Sequence, residues 1–450
     1  MSTALAPPTP AAGERTEGAR TPGFRIFFDT VTVSSLTVLS KLAGALKTVI
    51  IAGFFGAQGD LDAYLIAFLI PSFVADVFCA TLIPALVPRL VELNRRSARA
   101  DAVALYGRAL WGILAFICLA GAVLAFAAEW FAPLSRLGTA LLLIMIPILP
   151  CSAVANIWRA VLNAEQRFVA TAVTPVLTPI VIVVSLALAG HTGGVWTLAA
   201  GTTLGAATEA IALGLVVFRR GIPVLPKLPG ALLDSGALKK EYGYLAVNNA
   251  VMGGAFFVNQ SMAAMLGPGN ISIFNFGTRF AAVLMAIGPA ALSVTVLPRF
   301  SELAAERNWN GLKHMSRTLL FGWMTATAAA TGLFIWFSEP IVRYALQRGA
   351  FTAADTAAVT LVQSYSLLQL PFAFGNAVLT RILVSLRANG VLIPFSLAAL
   401  LMNAGLNALL MKRLGVSGIA LSASVVQAVL FSALLGIVSY GARKRFLKES

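Results

Sequence analysis

The sequence has little charge. Lys, Arg, Asp and Glu make up 11% of the 450 residues, whereas 58% are hydrophobic and the mean hydropathy is +0.85. A soluble protein of this length needs far more polar surface, so the composition predicts a membrane protein. There are only 2 histidines and 3 cysteines. Because Cys79, Cys118 and Cys151 lie in separate apolar segments, we expect neither a histidine-based metal site nor a disulfide framework.

The first 25 residues also lack the apolar core of a signal peptide. They are rich in Pro, Ala and Gly, which predicts a disordered cytoplasmic tail over residues 1–25. The rest of the chain divides into apolar runs of about 20 residues, the length of a membrane helix. The predicted helices cover 27–55, 60–93, 104–129, 137–163, 168–190, 193–218, 240–266, 271–303, 314–337, 356–386, 390–411 and 415–440.

Short matches between distant segments indicate an internal duplication. The segment "VPRLVEL" (87–93) recurs as "LPRFSEL" (297–303), an offset of 210 residues. The segment "LPCSAVANIWRAVL" (149–162) matches "LPFAFGNAVLTRIL" (370–383) at an offset of 221. An insertion near 348–357 accounts for the difference between the offsets. Since each half then has an even number of helices, both halves have the same orientation in the membrane.

The fold class predicted from these features is an all-α polytopic membrane protein. About twelve transmembrane helices form two parallel six-helix lobes around a central cavity. Two such lobes are typical of alternating-access transporters, whose substrate site lies at the seam between them. Loops rich in Lys and Arg predict that both termini are cytoplasmic. The predicted parts are an N-terminal lobe (26–218), a cytoplasmic linker (219–239), a C-terminal lobe (240–442) and a basic cytoplasmic tail (443–450).

Four cations inside the apolar runs point to the kind of ligand. Lys41 and Lys47 lie in helix 1, Arg279 in helix 8 and Arg381 in helix 10. A cation near the middle of a membrane helix costs about 2.5–3.5 kcal/mol. Because these cations outnumber the nearby acids, we expect some of them to face an anion. Lys41 and Lys47 are about 240° apart around their helix, so they can border one wide cavity but not a narrow stripe.

Four other ionisable residues inside the helices have two readings each. Asp62 follows a Gly-rich turn, so it either belongs to the site or starts helix 2 near its positive dipole end. Asp76 and Glu209 either serve function or pair with nearby cations. Arg159 either lines the site or extends toward the membrane surface near the end of helix 4.

Four stretches of the chain carry a family resemblance. The first, "SKLAGALKTVIIAGFFGAQGDLDAY" (40–64), has a Ser-Lys-x-x-Gly-x-x-Lys pattern, then a turn of small residues and an Asp-Ala-Tyr start to helix 2. The others are "AVLNAEQRFVATAVTPVLTPI" (160–180), "FNFGTRFAAVLMAIGPAALSVTVLPRFSELA" (274–304) and "LQRGAFTAADTA" (346–357). Together they resemble the MurJ/MviN family of lipid II flippases, which belongs to the multidrug/oligosaccharidyl-lipid/polysaccharide exporter superfamily.

The resemblance implies a flippase of the bacterial cytoplasmic membrane. Its cargo would be an undecaprenyl-pyrophosphate-linked glycan, lipid II or a similar peptidoglycan precursor, carried from the inner to the outer leaflet by alternating access. Lys41, Lys47 and Arg279 match the cations that line the family's cavity, and Asp62 matches its helix 2 acid. Arg381 is added as a substrate-binding candidate because of its intramembrane charge.

The expected partners are the lipid bilayer and the lipid-linked saccharide, with no nucleic acid and a monomeric chain. We expect no cofactor and no direct use of ATP, because the sequence has no nucleotide-binding motif. Coupling to the membrane potential or to sodium is the expected source of energy. Asn249 and Asn403 either contribute oxygens to a sodium site between helices 7 and 11 or join these helices by hydrogen bonds.

Three departures from the family pattern keep other functions open. Helix 1 has lysines in place of two arginines, and helix 2 has Ala75, Asp76 and Ala80 in place of two arginines and a glutamate. Many family members also have two further helices. One alternative is therefore a flippase for a lipid-linked exopolysaccharide repeat unit, and another is a small-molecule exporter of the same superfamily. A membrane enzyme acting on lipid-linked sugars would need paired acids or a metal in a large outer loop, and the sequence has no such loop.

Overall fold

The structure, a computed structural model, describes residues 22–128, 135–189, 192–227, 236–306, 308–385 and 392–449. In these ranges the chain is built from α-helices joined by short turns. The helices of the first half are α1 (Pro22–Phe55), α2 (Gly59–Val74), α3 (Leu82–Arg95), α4 (Arg99–Ala127), α5 (Arg136–Met145), α6 (Ile148–Ala164), α7 (Phe168–Val173), α8 (Leu177–Ala189) and α9 (Gly194–Arg219). Those of the second half are α10 (Gly236–Ala264), α11 (Asn270–Ala305), α12 (Trp309–Trp336), α13 (Ser338–Leu346), α14 (Ala353–Leu367), α15 (Leu370–Ser385), α16 (Leu392–Leu414) and α17 (Val416–Glu449).

Several of these helices follow one another closely enough to form single rods across the membrane. α2 continues through a π-helical turn (Ala75–Cys79) into α3, and the resulting α2–α3 rod runs from Gly59 to Arg95. In the same way α5 and α6 form one rod, α7 and α8 another, and α14 and α15 a third.

The number of rods agrees with the sequence prediction. Among the described residues, 10 helical segments are long and apolar enough to cross a membrane. α10 and α11 are not among them, but they have 29 and 36 residues. At 1.5 Å per residue they are roughly 44 and 54 Å long, more than a bilayer's hydrocarbon core of about 30 Å. With these two helices the rods number twelve, and the fold is that of an all-α polytopic membrane protein.

The helix ends differ from the prediction at both termini. α1 begins at Pro22, inside the predicted tail, where a proline is favourable because the first residues of a helix have no use for the missing N–H. α17 continues to Glu449 through the predicted basic tail. Residues 1–21 and 228–235, from the predicted tail and linker, lie outside the described residues. The short helix α13 was not predicted, because a search for membrane-length runs does not detect 9 residues.

The helices of the two halves contact one another in the same order. The second rod packs on the fourth (α3 on α6, α11 on α15), and the fourth packs on the sixth (α6 on α9, α15 on α17). The fifth packs on the sixth (α8 on α9, α16 on α17), and the first on the fifth (α1 on α8, α10 on α16). A duplication requires such a repeated pattern of contacts. That the two lobes superpose stays a prediction.

The two halves meet closely at the end of the molecule that holds the turn between α1 and α2. The backbone N–H of Ala350 donates to the carbonyl of Gly53 at 2.9 Å. Gly56 has a φ of 60°, and a Cβ on it would collide with the carbonyl oxygen of Ala350. Only glycine permits both the left-handed conformation and this close approach.

Apolar side chains of both halves pack behind these backbone contacts. Ile51 and Tyr64 of the first half share one buried cluster with Phe276 and Phe351 of the second half. The described residues of the two halves therefore close the molecule at this end. We call it the closed end, and it comprises residues 53–62, 267–272 and 348–351.

Candidate substrate-binding site

The three cations predicted to line the cavity lie on two helices, Lys41 and Lys47 on α1 and Arg279 on α11. These two helices approach each other at Gly44. Nη2 of Arg279 lies 4.0 Å from the position that a Cβ on Gly44 would take. Lys41 comes three residues before Gly44 and Lys47 three residues after it. Three residues turn a helix by about 300°, so the lysines flank Gly44 by about 60° on either side. The three cations, which we call the cation cluster, thus surround one patch between α1 and α11.

No acid among the described residues neutralises this cluster. Lys41 and Arg279 are exposed and Lys47 is half-buried, and Lys47 and Arg279 are close enough for their charges to interact. The ion pairs found among the described residues join Arg96 to Glu92, Arg159 to Glu209 and Arg299 to Glu302. The cluster is therefore a concentration of positive charge that an anionic ligand would relieve.

The cluster also lies deep in the membrane. Lys47 is 8 residues from the end of α1 at Phe55, and Arg279 is 9 residues from the start of α11 at Asn270. These separations are roughly 12 and 14 Å from the closed end, and Lys41 lies about 9 Å further in. In a hydrocarbon core of about 30 Å these positions are near the middle, so the cations need a wet cavity or an anion.

Asp62 lies outside the cation cluster. It is buried, with 5% of its surface exposed, and it belongs to the closed end. Its Oδ1 accepts hydrogen bonds from the backbone N–H and the hydroxyl of Ser272, at 2.8 and 2.5 Å. Ser272 is in the first turn of α11, so the carboxylate satisfies orphan donors at the positive end of that helix. This placement favours a role in joining the two halves over a role in binding a ligand.

Ser272 was not predicted from the sequence as a partner of Asp62, although the offset of the internal repeat relates the two residues. Asp62 and Ser272 are 210 residues apart, the same offset that relates "VPRLVEL" to "LPRFSEL". The predicted duplication therefore makes them equivalent positions of the two halves. Equivalent residues touch each other only on the axis that relates the halves, so the contact marks that axis at the closed end.

Arg381 lies in the second half, away from α1. It is half-buried on α15, next to Ile382 and Leu383 of an apolar cluster. Its Nε is buried and has no hydrogen-bond partner among the described residues. The structure does not bring Arg381 together with the cation cluster, and its substrate-binding role stays a prediction.

Asn249 and Asn403 belong to different hydrogen-bond networks. The amide of Asn249 on α10 donates to Oγ1 of Thr81 at 2.7 Å, across the seam between the halves. Asn403 on α16 accepts a long hydrogen bond of 3.4 Å from Asn407, which also donates to Asn259 at 2.7 Å. These contacts favour the reading in which the asparagines join helices. A sodium site at Asn249 and Asn403 stays a prediction.

The remaining intramembrane charges divide into a pair and a single acid. Arg159 and Glu209 form an ion pair, and the hydroxyl of Thr178 donates to Glu209 at 3.1 Å. This contact favours the structural reading of both residues. Asp76 lies in the π-helical turn, is exposed, and takes part in none of the ion pairs found among the described residues.

Comparison with known proteins identifies the family. The sequence model of the lipid II flippase MurJ family matches residues 51–448. This chain belongs to that family. The matched range includes Asp62, Arg279 and Arg381 but begins after Lys41 and Lys47, so the assignment of the two lysines depends on the helix 1 pattern.

Known relatives and solved structures agree with this family. A probable lipid II flippase MurJ of Synechocystis is 27% identical over 418 residues, which cover 87% of this chain and 77% of the relative. One of Vibrio cholerae is 25% identical, over 89% of this chain and 80% of the relative. The structure of a lipid II flippase MurJ in an inward closed conformation aligns with a TM-score of 0.79 at 22% identity, over 91% of this chain and 87% of the other. An inward-facing multidrug transporter of the MATE family has the same fold, with a TM-score of 0.74 at 13% identity over 93% of this chain and 99% of the other.

Proposed function

We propose that this protein moves lipid II, an undecaprenyl-pyrophosphate-linked glycan, from the inner to the outer leaflet of the bacterial cytoplasmic membrane by alternating access. Membership of the MurJ family supports the cargo. The observation that carries the mechanism is the cation cluster, which has no acid partner among the described residues and lies near mid-membrane. A pyrophosphate has about two negative charges and cannot enter hydrocarbon without cations that compensate them.

The three cations have different parts in this binding. Arg279 offers a planar fork that can hold two phosphate oxygens at once. Lys41 and Lys47 offer point charges on flexible stems, which can follow the pyrophosphate as the halves move. Because they flank Gly44 from two sides, the ligand would lie against α1 opposite Arg279.

The orientation follows from the basic loops. Arg95 ends α3, Arg96 follows it and Arg99 begins α4. Arg219 and Arg220 lie at the end of α9. All are at the end of the molecule opposite the α1–α2 turn, and such loops are cytoplasmic under the positive-inside rule. Both termini are then cytoplasmic, and the closed end faces outward. In this orientation the closed end would block access to the cation cluster from outside the cell.

The membrane potential can supply energy for this direction of transport. In a cell that is negative inside, moving two negative charges outward gains up to about 4.6 kcal/mol per 100 mV. Transport then needs neither catalysis nor a bound cofactor. We propose the single chain as the working unit, because all three cations and both lobes belong to it.

The test is lipid II flipping in cells depleted of their own flippase, measured by a probe that reacts with lipid II only in the outer leaflet. Arg279→Ala should abolish flipping without reducing membrane insertion, since removing an intramembrane cation makes insertion easier. Arg279→Lys should keep part of the activity because the charge remains. The matched control is Arg299→Ala, since Arg299 is on the same helix but is exposed and paired with Glu302 at 2.8 Å.

Two outcomes would contradict the proposal. Full activity of Arg279→Ala at normal protein levels would mean that this arginine is structural. If the unmodified protein moves a lipid-linked exopolysaccharide unit but not lipid II, the site is right and the cargo is wrong.

A further inference from the structure

A groove on the side of the molecule is lined by helices other than those of the cation cluster. It has a volume of about 280 Å³ and lies between α3, α4 and α10. Its walls are mostly apolar and include Leu82, Leu86, Ile113 and Phe116. Phe116 remains 43% exposed, so the groove opens outward and is not an internal cavity.

The position of the groove places it against lipid. Its walls belong to two of the membrane-spanning segments, Gly59–Arg95 and Arg99–Ala127. Between Arg108 and Phe116 it extends for 8 residues of α4, roughly 12 Å along the helix. Water in an apolar groove next to hydrocarbon lacks hydrogen-bond partners, so a lipid chain occupies the groove more favourably than water does.

One end of the groove is polar. Arg108 is half-buried there, and its Nε donates to the carbonyl of Ala104 at 3.2 Å. Ala104 is one turn nearer to the start of α4, so this hydrogen bond draws the side chain toward the end of α4 that adjoins the basic loops. A long cationic side chain in this position can reach a lipid phosphate while its stem lies along apolar surface.

The groove is also part of the seam between the two halves. Tyr242 of α10 lines it and donates from its hydroxyl to the carbonyl of Phe78 at 2.8 Å. Further along the same seam the rings of Phe73 and Phe257 lie 4.9 Å apart. A ligand in the groove would therefore contact both halves where they are already packed together.

We infer that this groove binds a hydrocarbon chain of an anionic bilayer phospholipid, with the lipid phosphate at Arg108. A bilayer lipid is favoured over the prenyl tail of the cargo because the groove and the cation cluster share no residue and no helix. Such a lipid stabilises this arrangement of the two halves, because it contacts residues of both.

Gly112 allows the groove to be filled without disturbing the fold. A Cβ on Gly112 would have no heavy atom within 4 Å, although the residue is part of the groove lining. Gly112→Leu therefore places apolar volume in the groove itself. Gly322→Leu is the matched control, since Gly322 on α12 is the equivalent residue at the repeat offset of 210 and also has open space around its Cβ.

The experiment uses the purified full chain in detergent, with phosphatidylglycerol or phosphatidylcholine added. Retained lipid is counted by native mass spectrometry, and the midpoint of thermal unfolding is measured. Phosphatidylglycerol should be retained by the unmodified protein and raise its midpoint, because a ligand that binds only the folded state stabilises it. Gly112→Leu and Arg108→Gln should lose both effects, whereas Gly322→Leu and, in part, Arg108→Lys should keep them.

Each other outcome would overturn the inference. Equal retention by Gly112→Leu and the unmodified protein would show that the groove is not the lipid site. Equal effects of phosphatidylcholine and phosphatidylglycerol would show that the groove does not select an anionic lipid. No loss in Arg108→Gln would show that Arg108 does not recognise the phosphate. Displacement of phosphatidylglycerol by undecaprenyl phosphate at equal concentration would show that the groove takes the cargo's tail.

Discussion

Removing the carboxylate of Asp62 should open the closed end. If the halves alternate, the hydrogen bonds from Ser272 to Asp62 must break each time the cargo leaves. A hydrogen bond to a charged group contributes about 1.5–3 kcal/mol, and Oδ1 accepts two of them. Asp62→Ala should therefore destabilise the closed state by at least about 3 kcal/mol. Since about 1.4 kcal/mol is a factor of ten, the open population should rise roughly a hundredfold or more.

The open population can be measured by cysteine labelling from outside the cell. In a chain whose Cys79, Cys118 and Cys151 are replaced by alanine, Ala57→Cys places a thiol at the closed end. The carbonyl oxygen of Ala57 lies 2.8 Å from the position of a Cβ on Gly269 and Ala57 is half-buried, so separation of the halves should expose it further. The rate of reaction with a membrane-impermeant maleimide then reports how often the closed end opens.

Related variants give a graded series. Ser272→Ala removes the hydroxyl but keeps the backbone donor, so it should destabilise the closed state by roughly half as much as Asp62→Ala. The labelling rate should then rise about tenfold. The double variant should label no faster than Asp62→Ala alone, because both changes remove the same interaction. Gln58→Cys, next to Ala57 but exposed, should label equally in every background. A labelling rate of Asp62→Ala within twofold of the parent would refute the idea that this contact holds the closed end together.

Two more predictions concern the intramembrane charges. Lys41→Arg and Lys47→Arg should keep flipping activity and bind pyrophosphate at least as tightly, because the charge stays and a planar fork is added. If the affinity for pyrophosphate in a competition assay falls more than tenfold, the space around the lysines limits binding more than their charge does. Glu209→Gln should lower the free energy of unfolding by up to about 3 kcal/mol, because it leaves the partly buried Arg159 without its counter-ion. Glu302→Gln, which breaks an exposed pair, should change it by no more than about 1 kcal/mol, and an equal effect of the two variants would contradict the reasoning.

The sequence predicted the membrane helices well because hydropathy over about 20 residues measures the property that the bilayer selects. It did not predict how a rod is built internally. The π-helical turn Ala75–Cys79 lies within one apolar run, and hydropathy is the same whether a run is α-helical or contains a wider turn. α13 was not predicted either, because this helix is too short to cross a membrane.

For the candidate site, the sequence predicted which residues are unusual but not what each one faces. A cation in an apolar run is visible in the sequence because its insertion is costly. Whether a partner relieves that cost depends on tertiary contacts, as the pairing of Arg159 with Glu209 shows. Asp62 is the clearest case, since its partner Ser272 is an uncharged residue of a distant helix.

The predicted repeat separates a contact that joins the halves from the cations that we propose to bind the cargo. At the offset of 210, Asp62 corresponds to Ser272, and these equivalent positions meet on the axis at the closed end. The cation cluster has no such symmetry, because Lys47 corresponds to Phe257 and Arg279 to Leu69. A cavity between two equivalent lobes would carry charge at equivalent positions of both lobes if the cargo itself were symmetric. A lipid with a single pyrophosphate has no such symmetry, so the positive charge needs to lie only along α1 and α11, where one anionic group can be held.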